Sequence, residues 1–268
     1  MKKILLIMSA VVVVAACSKN AVTGRKQLSL LPESQLQQMA LQEYQQFLSQ
    51  SKVVSTTTSK DAEMVRRVGT RIANAITEYY TKQGKASIFE GYKWEFNLVD
   101  NKEINAWCMP GGKVVVYTGL LPVAQNEAAL AIVLGHEIMH AVAKHGNERM
   151  SQAMLAQGIG IAGDVLTSRN SQVNGIFNST YGIGAQVGVL LPNSRKQESE
   201  ADHYGLICAA MAGYNPKEAI PFWQRMSKAA GSGTKPPEFL STHPSDEKRI
   251  KQLEGYMDEA LTYYKPVK

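Results

Sequence analysis

Cysteine is scarce in this 268-residue chain, with three in all. That excludes a small scaffold stapled by disulfides. Clustered positive charge is missing as well. The formal net charge is +6, yet no run of Lys and Arg exceeds two residues. Charge spread this way suits solubility and attraction to anionic surfaces, and it argues against a nucleic-acid partner. Collagen-like, coiled-coil and low-complexity patterns are absent. The one long charge-free internal stretch, 171–194, is broken by glycines and by Asn178, Ser179, Thr180 and Gln186. It reads as a buried or mobile helical segment over a cleft rather than a membrane span, and a multi-span membrane protein is excluded. What is present is ordinary for a folded chain: 44% hydrophobic and 19% charged residues, enough for a substantial core.

The N-terminus reads as an address. Lys2 and Lys3 precede an apolar run over residues 4–16, too short to span a bilayer but suited to a signal peptide. Val14, Ala15 and Ala16 then lead into Cys17, and small residues before a cysteine resemble a bacterial lipobox. The expectation is cleavage before Cys17 and lipidation of that residue. Ser18, rather than an acidic residue, follows, which resembles an outer-membrane destination in a Gram-negative cell envelope. Cys108 and Cys208 are left either to pair or to stay as buried thiols.

Three divisions follow: 1–16 as signal peptide, 17–30 as lipidated Cys and polar tether, and 31–268 as one domain. Residues 33–50 and 60–82 read as amphipathic helices. Residues 92–99 alternate like a half-buried strand, and the β-branched run Lys113–Tyr117 reads as a second strand. From about Asn126 the pattern is helical, with a last helix near 246–262. Helices, a small strand region, then helices imply an α+β fold.

The chemistry lies in His136-Glu137-Ile138-Met139-His140, inside an apolar run that reads as a buried helix. On a helix His136 and His140 are about 40° apart, so both imidazoles can hold one Zn²⁺. Glu137 lies beside them as a general base. A buried helix carrying two His and a Glu with no partner would suffer a large desolvation cost. His145 sits about 180° around that helix, so it reads as solvent-side or as a support to the ligands. The third ligand must come from elsewhere. In Arg195–Asp202, Glu198 and Asp202 share a helix face and Glu200 points away. Glu198 as ligand puts Asp202 where it could orient a histidine or act as an acid.

HExxH followed by Glu198-Ser199-Glu200-Ala201-Asp202 resembles the gluzincin metallopeptidases of the HtpX and CAAX-prenyl-protease family. Thr23–Gln27, Asn105-Ala106, Pro110–Gly112, Thr118–Leu121 and Ser241–Ser245 resemble that family's periplasmic lipoprotein branch. The resemblance implies a zincin-like domain with a small sheet beside the HExxH helix. It implies one Zn²⁺ on His136, His140 and Glu198, Glu137 as general base and Asp202 as proton donor. His243 would be a histidine that approaches and blocks the metal, or one that assists substrate binding. Gly112, Lys113, Val114, Val115 and Val116 would form an edge strand that holds an extended substrate, with the 171–194 segment capping the cleft. The implied function is a zinc-dependent endopeptidase in which zinc-bound water attacks misfolded or damaged envelope proteins. The alternative is a non-proteolytic lipoprotein with a chaperone-like role, its zinc site closed by His243. The chain stops soon after its last helix, which argues against a built-in docking array.

Overall fold

The computed structural model describes residues 17–158, 171–181, 194–231, 239–240, 243 and 247–266. The signal-peptide reading of 1–16, and the part of the cleft-capping reading that concerns 182–193, lie outside the described residues. In chain order the elements are β1 (Cys17–Lys19), β2 (Lys26–Leu28), α1 (Glu33–Gln50), β3 (Val53–Val54), α2 (Lys60–Lys82), β4 (Glu95–Val99), β5 (Ala106–Met109) and β6 (Lys113–Tyr117). There follow α3 (Leu121–Ala124), α4 (Glu127–Val142), α5 (His145–Ala156), α6 (Ser171–Tyr181), α7 (Arg195–Met211), α8 (Ala219–Gly231) and α9 (Glu247–Tyr263). The fold is α+β and mostly helical, as expected.

The main sheet has the order β3-β4-β6-β5, with β4 and β6 parallel and the other pairs antiparallel. Every residue of β6 is buried. Val114 and Val116 face a core with Ile72 of α2 and Ile138 of α4. Val115 and Tyr117 face a second core with Leu36 and Met39 of α1, Met150 of α5 and Phe177 of α6. A strand covered on both faces is expected to read as a continuous β-branched run, and this one does.

That burial overturns one expectation. Lys113–Tyr117 is not an edge strand: β4 bonds one side and β5 the other. The Lys113 ammonium is also engaged, reaching the Lys93 carbonyl at 2.6 Å and the Glu95 carboxylate. Gly111 and Gly112 have φ of +83° and +82°, and the Gly112 amide donates to the Met109 carbonyl at 3.1 Å. They make the Pro-Gly turn of the β5–β6 hairpin rather than an approach path for substrate. Among the described residues the outer strand on that side is β5.

Residues 17–30 are no loose tether. β1 and β2 pair. Asn20 and Gln27 are buried and both donate to the Ala143 carbonyl, at 2.8 and 3.2 Å. The Leu30 amide donates to the Ser151 hydroxyl at 2.9 Å. Polar composition misled here because these side chains bond the fold instead of water. Among the described residues no helix is long and apolar enough to cross a membrane.

Candidate metal centre

α4 begins at an Asn126 N-cap that accepts from the Ala129 amide at 2.8 Å. From Ala129 to Val142 every residue is buried. α7 begins in a capping box: Ser194 accepts from the Gln197 amide, and the Gln197 side chain accepts from the Ser194 amide. That start sets Glu198 in the first turn and Asp202 one turn further. The two helices cross at a pair of glycines, where a Cβ on Gly135 would lie 2.6 Å from the Gly205 carbonyl oxygen. Only backbone against backbone brings α7 carboxylates this close to α4 histidines.

Four side chains converge: His136, His140, Glu198 and His243. All are buried, and one donor atom from each lies within 4.8 Å of the others. His136 Nε2 is 3.0 Å from His140 Nε2 and 3.0 Å from His243 Nδ1. Glu198 oxygens lie 3.2 Å from His140 Nε2, 3.5 Å from His136 Nε2 and 2.9 Å from His243 Nδ1.

The surrounding bonds favour one placement of the ring hydrogens. His136 Nδ1 is 2.9 Å from Asp202 Oδ1, so it donates to a carboxylate and turns Nε2 toward the cluster. His145 Nε2 is 3.1 Å from Glu200 Oε2 and its Nδ1 is 2.9 Å from His140 Nδ1. Glu200 only accepts, so His145 donates from Nε2 and accepts at Nδ1. His140 then donates from Nδ1 and leaves Nε2 bare. Two Nε2 atoms 3.0 Å apart need a proton or a metal ion between them.

Charge points the same way. Burial alone would push the Glu198 and Asp202 carboxyls up, but His243 and His136 about Glu198, and Arg249 and His136 about Asp202, outweigh it and hold both below their ordinary range. Burial would pull His136 down, yet Asp202 and Glu198 push it up to about 9. Two ionised carboxylates facing one guanidinium draw in further positive charge. A borderline-soft cation would suit this set of N and O donors, and zinc is one.

A family model described as Peptidase family M48 matches residues 59–257. The chain belongs to peptidase family M48. Its α+β zincin-like domain and its zinc cofactor are those of that family. Mitochondrial metalloendopeptidase OMA1 of Schizosaccharomyces pombe is 37% identical over 168 residues, 63% of this chain and 48% of the relative. Metalloendopeptidase OMA1, mitochondrial, of Homo sapiens is 30% identical over 247 residues, 90% of this chain and 46% of the relative. The beta-barrel assembly-enhancing protease of Yersinia pestis is 34% identical over 161 residues, 59% of this chain and 33% of the relative. The chain thus spans about half or less of the length of these M48 relatives.

Within this M48 site the sequence-derived residues divide. His136, Glu137, His140, Glu198 and His243 come together. Asp202 joins them, and both its oxygens are engaged: Arg249 bonds Oδ2 at 2.8 Å and Oδ1 at 2.7 Å, and His136 shares Oδ1. It orients the His136 ring through Oδ1, and Oδ2 keeps one lone pair beyond its bond from Arg249. His145 is fully buried rather than solvent-facing, because the helix breaks at Lys144, whose φ is +56°. The fifth histidine of the chain, His203, is apart from the site, 2.7 Å from Glu259. Cys108 and Cys208 are buried and unpaired with each other. Arg249 went unnoticed in the sequence. It stacks on Trp223 at 3.5 Å, donates to the His243 carbonyl at 3.2 Å and reaches Glu198 at 3.3 Å. A lone arginine at a helix start carries no local signal.

Proposed function

We propose that this protein is a zinc-dependent endopeptidase of the bacterial cell envelope, acting on misfolded or damaged envelope polypeptides. The observation that carries the reading is Glu137. It is buried beside the donor cluster, and its Oε1 has no hydrogen-bond partner among the described residues, 3.4 Å from His243 Nε2. Burial raises its pKa, with His243 and His136 opposing. A structural zinc site has no use for a buried, unsatisfied carboxylate, whereas a peptidase has.

His136, His140 and Glu198 would hold the zinc. Bound there, zinc supplies Lewis-acid activation of water and of the scissile carbonyl. Glu137 Oε1 accepts the proton of the attacking water and passes it to the leaving amine. Asp202, clamped by Arg249, keeps the His136 ring in place. An extended substrate would add to β5. The bond from the Tyr117 amide to the Asn105 carbonyl, with antiparallel alternation, leaves the backbone groups of Ala106 and Cys108 facing outward.

The envelope assignment rests on the residue 4–16 run and Cys17, which suit a lipid anchor on the periplasmic face of the outer membrane. The names of the relatives divide between mitochondrial metalloendopeptidases and beta-barrel assembly-enhancing proteases. A lipobox suits the bacterial setting. A second reading is favoured by His243, whose Nδ1 completes a four-donor set. Zinc closed by four protein ligands serves structure, and the protein would then bind unfolded chains without cutting them.

The test is casein cleavage by the purified protein with its zinc counted, comparing wild type with Glu137→Gln. Zinc near one per chain in both, with cleavage in wild type alone, supports the peptidase. Zinc without cleavage in either is followed by His243→Ala. Restored cleavage then means a self-blocked peptidase, and continued silence favours the binding protein.

A further inference from the structure

Thr23–Gln27 was singled out in the sequence without any chemistry assigned to it. Arg25 supplies that chemistry. Its guanidinium binds two carboxylates, each through two nitrogens. Glu200 is met at 2.7 and 3.1 Å by Nε and Nη2, and Glu148 by Nη1 and by Nη2 at 2.7 Å. Glu200 is also the acceptor for His145, and His145 is the acceptor for His140. Gln197 closes the ring, donating to Glu148 at 2.8 Å and to the His145 carbonyl at 3.2 Å. The helix break that frees His145 from α4 is itself stitched by this segment. Asn20 and Gln27 both donate to the Ala143 carbonyl, one of those left open at the end of α4.

We infer that Arg25, Glu200 and His145 form a positioning brace that fixes the ring and the bare Nε2 of His140, so that Arg25 is a working part of the metal centre. The inference rests on zinc being held at His140. Arg25 holds Glu200 with both oxygens fixed, one of them toward His145. Glu200 in turn leaves His145 one acceptor nitrogen, aimed at His140. Without the brace the His140 ring can rotate or take the wrong tautomer, and the site must pay to order it on each binding event. Partners of this kind, when removed, weaken metal binding by about 10–100-fold.

The experiment measures zinc Kd by competition with a chromophoric chelator. It uses purified wild type and the variants His145→Ala, Glu200→Gln, Arg25→Gln and Lys26→Gln. Lys26 is exposed, and its variant makes the same charge change as Arg25→Gln. Cobalt(II) absorption reads the ligand geometry, and melting of the metal-free proteins checks folding. The expected result is zinc still near one per chain at saturation in all five proteins. The three brace variants should bind about 10–100-fold more weakly with altered cobalt bands, while Lys26→Gln matches wild type. If His145→Ala does not fold, the near-isosteric Glu200→Gln decides. Brace variants with wild-type Kd and cobalt bands overturn the inference while leaving the zinc reading intact. A wild type that binds no zinc overturns both.

Discussion

Glu137 and Asp202 show how neighbours assign different work to two buried carboxylates. Asp202 is held by a guanidinium and an imidazole, so its charge is spent on orientation. Glu137 Oε1 makes no hydrogen bond among the described residues. Glu137→Gln keeps the shape and removes the base. Zinc content should stay near one per chain while kcat falls by roughly 10²–10⁴-fold, read from casein or peptide hydrolysis. Loss of zinc in this variant would sink the role. Arg249→Met should behave differently. It strips the partner from buried Asp202 and Glu198, and losing one side of a buried ion pair costs about 3–5 kcal/mol. Urea unfolding would show the loss directly, and an unchanged midpoint would contradict it. The thiols give a third expectation. Burial pushes both Cys108 and Cys208 up, with Glu137 adding to it at Cys108. Both should resist a thiol reagent in the folded protein and react as two free thiols in denaturant.

The helices were legible because their signals are local. Residues 33–50 and 60–82 read as helices from apolar spacing alone, and α1 and α2 occupy those spans. HExxH and ExEAD are short motifs on single helices, so four site residues could be found with no knowledge of pairing. β5 was missed: its four residues Ala-Trp-Cys-Met have no clean alternation, and the strand exists through its pairing with β6. The same gap made β6 look like an edge. Arg25, Glu200 and Arg249 were out of reach for a related reason, since each acts across more than a hundred residues or between two helices and leaves no period in the sequence. The crossing of α4 and α7 carries its own test. A Cβ on Gly205 would lie 2.8 Å from the His136 amide nitrogen, and neither backbone can give way cheaply. Gly205→Ala should therefore push the helices apart at the metal. Overpacking of this kind costs about 1–3 kcal/mol, and zinc affinity should fall with the melting temperature because Glu198 rides on α7. A loss of stability with unchanged zinc affinity would mean that the glycines serve packing alone.

Zinc joins parts of the chain that share no sheet. Its proposed donors come from α4 and α7, with His243 beside them, while the brace behind them draws on the β1–β2 turn, α5 and α7. Removing the ion leaves two imidazole Nε2 atoms 3.0 Å apart beside carboxylates that Arg249 meets at 2.7 and 3.3 Å. The folded state should therefore depend on zinc as a ligand that the unfolded chain does not hold in this geometry. At free zinc a thousandfold above Kd, the linkage term is about 4 kcal/mol. For a domain of this size each kcal/mol moves Tm by roughly 2–4 °C, so chelation should lower Tm by about 8–16 °C. Tm should also climb with the logarithm of free zinc above Kd. His243→Ala separates the two states of the site. If His243 is a ligand in the resting protein, the zinc-dependent gain in Tm should shrink in the variant while its chelated Tm stays near that of chelated wild type. If the gain is unchanged, His243 contributes nothing to holding the ion, and the self-blocked peptidase loses its lock.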